Sequence, residues 1–217
     1  MPLEKKLQAV LDRALRVVED APAAGARLVD DSTRLWHRAQ RLLELRLVDA
    51  SSIQPDAMEL ACYAIHLPLK GQRVTTVRGK LGRPSLKERA EQTAEILVNL
   101  AGDYIDEALL DRTTRILHEI PQRKPAMDEA RLLADAINLE DFSIAGLFVQ
   151  AIDLARTGDG LLQLVDGINK REQYGYWDAR LKDGFHFEPV RKLARERLEH
   201  VRRVAALLTG ELAADGE

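Results

Sequence analysis

The sequence predicts an all-α protein, a helical bundle of a single domain. Apolar residues recur at three- and four-residue spacing along most of the chain. Aromatic content is only 5% with 8 prolines, which favours helices over strands. The one β-prone run is the short Val74-Thr75-Thr76-Val77. At 217 residues the chain is long enough for one well-filled core. The expected organisation is an N-terminal amphipathic helix over 1–24, a helical core over 25–160, and C-terminal helices packed on that core over 161–217.

From about Leu3 to Glu19, Leu7, Leu11, Leu15 and Val18 form one apolar stripe between charges. Such a helix needs a partner surface, so it either packs on the domain or mediates homodimerisation. Ala21-Pro22-Ala23-Ala24-Gly25 breaks it, and Asp30, Asp31 or Ser32 can cap the next helix, which carries His37. Pro55 suits the first turn of a third helix. Met58, Leu60, Ala61, Cys62, Ala64 and Ile65 leave that helix little polar face, which places it at the centre of the bundle with His66 at its buried end before Pro68. The segment from Pro68 to Pro84 holds Lys70, Arg73, Arg78, Lys80 and Arg83 and no acidic residue, and reads as a basic loop or small hairpin.

Ser85 and Glu88 form a capping box that starts a helix with Ala90, Ala94, Leu97 and Leu100 inward. Another helix runs from about Ile105 to His118 and closes at Glu119-Ile120-Pro121. The apolar run from Glu129 to Leu139 encloses Asp135, and Phe142 to Ala155 continues as an apolar helix with Ile144, Leu147, Phe148, Ala151 and Leu154. Gly158-Asp159-Gly160 interrupts. Two charged outer helices follow, about Leu161–Leu181 and Glu188–Leu212, separated by Asp183-Gly184, and Ala213 to Glu217 should fray.

The net charge of -3 gives no field that would draw in nucleic acid or an anionic membrane. A single cysteine, Cys62, excludes a disulfide framework and reads as a small core residue. No apolar run approaches the length of a bilayer span, and Met1-Pro2-Leu3-Glu4-Lys5-Lys6 lacks the apolar region of a signal peptide, so the expected compartment is the cytoplasm. No glycine-rich phosphate loop, Cys-x-x-Cys pair, nucleophile elbow or internal repeat is present.

Three polar residues fit their surroundings poorly: His37 beside Trp36, His66 at the end of the most apolar helix, and Asp135 within an apolar run. A histidine so placed is either a hydrogen-bonded core residue or a ligand, and a buried carboxylate needs a hydrogen bond, an ion pair or a metal. Their order, His37, then His66-Leu67, then Asp135-Ala136-Ile137-Asn138-Leu139, resembles the HD-domain superfamily of metal-dependent phosphohydrolases. The resemblance extends from Trp36 almost to the C-terminus, through Glu129-Ala130-Arg131-Leu132-Leu133, Ile144-Ala145-Gly146 and Tyr176-Trp177-Asp178-Ala179-Arg180-Leu181.

What the resemblance implies is an HD-like helical core in which His37, His66 and Asp135 hold one divalent transition metal (manganese, iron, nickel or zinc) or, as a hydrogen-bonded remnant, none. The substrate would be a nucleotide or another phosphorylated small molecule, with Lys70, Arg73, Arg78 and Lys80 overhanging the site to meet phosphate and His118 in an outer position. Two departures count against turnover: Leu67 stands where the family has the aspartate of its His-Asp pair, and Ile137 where it has a second aspartate. The implied activity is therefore weak or lost. The alternative is a non-catalytic HD-like module that binds a ligand or a protein partner.

Overall fold

The computed structural model describes residues 4–15, 27–69, 85–156 and 158–214. Among them stand ten α-helices and no strand, so the protein is all-α as its periodicity predicts. The chain forms two compact units, Met1–Ala136 and Ile137–Glu217. The basic segment lies outside the described residues from Lys70 onward, with Arg73, Arg78, Lys80 and the β-prone 74–77.

The first unit contains α1 (Lys5–Leu15), α2 (Arg27–Glu44), α3 (Pro55–Ala64), α4 (Leu86–Ala101), α5 (Glu107–Glu119) and the first turns of α6 (Asp128–Asp141). Every residue of α3 from Ala57 to Ala64 is buried, and the helix packs against α2, α4 and α5. That is the central position its composition predicts. α2 turns Leu28, Ser32, Leu35, Ala39 and Leu42 inward, alternating steps of four and three residues. α1 buries Leu7, Leu11, Ala14 and Leu15 and packs on α2 and α4.

The helix ends follow local chemistry. Ser85 and Glu88 close the expected capping box, Glu88 Oε2 accepting from Ser85 N at 2.7 Å and Ser85 Oγ from Glu88 N at 3.2 Å. Asp106 caps α5 by accepting from Leu109 N at 2.8 Å. α3 stops before Pro68, and Arg89 of α4 donates from Nη2 at 3.1 Å to the carbonyl of Ile65, one of the groups that the end of a helix leaves without an internal partner.

The second unit contains the last turn of α6 and α7 (Ile144–Arg156), α8 (Leu161–Gln173), α9 (Tyr176–Asp183) and α10 (Glu188–Ala214). The single helix expected over 161–181 is two helices. The chain turns at Gly175, whose φ of 64° is left-handed and is reached without strain only by a residue lacking a Cβ. α7, α8 and α10 share a core of Leu147, Leu164, Ile168 and Ala205. A second cluster is aromatic: Phe142 meets Trp177 and Phe185 edge-on, with centroids 5.2 and 5.4 Å apart.

The corner between α6 and α7 depends on two small residues. Ser143 Oγ accepts from Gly146 N at 3.0 Å and donates to Glu140 O at 2.8 Å. A Cβ at Gly146 would run into the backbone carbonyl of Glu140. Gly210 lies within α10 with nothing within 4 Å of where a Cβ would stand. Gly146→Ala should therefore destabilise by about 2 kcal/mol through forced backbone movement, while Gly210→Ala should stabilise by about 0.5–1 kcal/mol through helix propensity. Chemical denaturation of the two variants, read by helical circular dichroism, tests the opposite signs.

Candidate functional site

His66 follows α3 in the short turn that leads to Pro68, and it is half-buried rather than deep. Its Nδ1 lies 2.9 Å from Ser32 Oγ on α2 and 3.2 Å from the carbonyl of Cys62. Ser32 Oγ already donates its proton to Leu28 O at 2.7 Å. Nδ1 must therefore be the donor to both oxygens, which fixes the proton on that nitrogen. This bond couples α2 to the end of α3. Ser32 is fully buried with its hydroxyl proton committed, so the Ser-His contact is structural and offers no nucleophile. Beside it, Thr33 Oγ1 meets Tyr63 Oη at 3.2 Å across the same pair of helices.

The other two predicted ligands are oriented by helix phase. Asp135 is fully buried on α6 between Ala134 and Ala136, as expected. His37 is exposed on α2. It follows the inward Leu35 by two residues, about 200° round the helix, and so points away from the core. The neighbouring residue takes the cross-helix role: Arg38 Nη1 donates to Ala136 O at 2.7 Å. Arg38 and the buried Glu59 also act on Cys62, whose thiol is pushed well above its ordinary value by burial first and by Glu59 next, with Arg38 opposing. A thiol so held is protonated and inert at neutral pH.

The described residues do not assemble the implied donor set. His37 faces outward, and Leu67 is buried and has no lone pair. Among the described residues no three His, Cys, Asp or Glu side chains stand together as a metal-holding group. Of the three expected ligands, Asp135 is fully buried, His66 half-buried and His37 exposed.

His118, the expected outer-site residue, is exposed near the end of α5. It lines a surface cavity of about 420 Å³ with Lys87, Ala90, Glu91, Pro121 and Gln122. None of the three expected ligands lines that cavity.

A buried polar network that the sequence does not single out centres on Glu129. Glu129, in the first turn of α6, is fully buried, and its Oε1 accepts from Arg112 Nε at 3.0 Å, Arg112 Nη2 at 2.6 Å and the backbone N of Gln54 at 3.0 Å. Arg112 Nη2 also reaches the carbonyl of Ser52 at 2.8 Å, and Ser52 Oγ donates to Asp128 Oδ2 at 2.8 Å. One carboxylate thus joins α5, α6 and the segment entering α3. The signal was available: Glu129 shares a helix face with Leu132, Leu133 and Ala136, a core position for an acid.

Comparison of the chain with protein-family models, curated proteins and solved structures gives no match.

Two substitutions test this arrangement by thermal and denaturant unfolding. Leu67→Asp buries a carboxylate without a designed partner and should cost on the order of 3 kcal/mol, with no recovery on adding manganese or nickel. A rise in melting temperature with either metal would show that the ligands can converge. Arg112→Ala should cost about 3–5 kcal/mol by stranding the Glu129 charge, and Arg112→Ala with Glu129→Leu should recover much of that loss.

Proposed function

We propose that this chain is a non-catalytic, partner-binding helical module, in which an HD-like order of polar residues serves helix packing instead of metal-dependent phosphohydrolysis. The observation that carries this reading is the phase of α2. It turns Ser32 toward His66 and sends Arg38 to the backbone of α6, while His37 faces outward. Metal-assisted attack on a phosphoester needs a dication held by convergent donors and a water activated on it. Here one donor of the implied set is turned away, and the carboxylate of the family's His-Asp pair is a buried leucine.

Support for the binding half of the proposal comes from the second unit. α7 buries Asp153 at 5% relative exposure and exposes Phe148 at 62% and Ile152 at 48%. Burying an acid while leaving large apolar side chains in water inverts the usual order, and a contiguous exposed apolar surface marks an interaction site.

The test is turnover. Protein stripped with chelator and then supplied with manganese, iron, nickel or zinc should leave nucleotides and p-nitrophenyl phosphate esters unhydrolysed, with no metal-dependent change in melting temperature. Robust metal-dependent hydrolysis that His66→Ala abolishes would overturn the reading.

A further inference from the structure

We draw no further inference here: the strongest candidate, the surface cavity of about 420 Å³ between the first turns of α4 and the end of α5, has exposed charged walls in Lys87, Glu91 and His118 that solvent and the Lys87-Glu91 pair one turn apart account for, and nothing in the structure shows what fills it.

Discussion

The organisation of the first unit follows from a helix that has no solvent face. From Ala57 to Ala64 every residue of α3 is buried, so the helix has to be enclosed, and α2, α4 and α5 enclose it. Burial of side chains such as Met58 and Leu60 contributes about 1.5–3 kcal/mol each, which makes α3 the main apolar anchor of the unit. Enclosure has a consequence for polar groups. Where α3 ends, its carbonyls and the residues just beyond it must find partners among the surrounding helices. Arg89 donates to the carbonyl of Ile65, and Ser32 Oγ accepts a hydrogen bond from His66 Nδ1.

The same constraint governs the buried charges. An ionised group in a dry interior is tolerated when partners converge on it, and is costly to strand. Glu129 receives a guanidinium and a backbone N–H on one oxygen, and Arg112 bridges onward to the carbonyl of Ser52. These bonds hold α5 and α6 to the segment that starts α3, at the opposite end of that helix from the Ser32-His66 contact. The polar interior thus secures both ends of an apolar helix. A network with that task places its donors for packing.

Much of the fold was legible because local chemistry fixes it. The Ser85-Glu88 capping box, the proline that ends α3, and the apolar stripe of α1 all depend on residues within a turn or two of one another. The misread element, one helix over 161–181, failed at Gly175. There a left-handed turn replaces a helical one, and glycine permits that conformation without dictating it.

By itself the sequence determined the helical class, the central burial of α3 and the apolar settings of Asp135 and Cys62, since each follows from composition and period along a single helix. Only the tertiary structure decided which polar side chains meet. His37 and Arg38 are adjacent in sequence, yet about 100° of helical rotation sends one to solvent and the other to the backbone of α6. That choice belongs to the packing of α2 as a whole, through Leu28, Leu35, Ala39 and Leu42. The pairing of Glu129 with Arg112 is of the same kind, because the geometry that joins them exists only once α5 and α6 stand side by side.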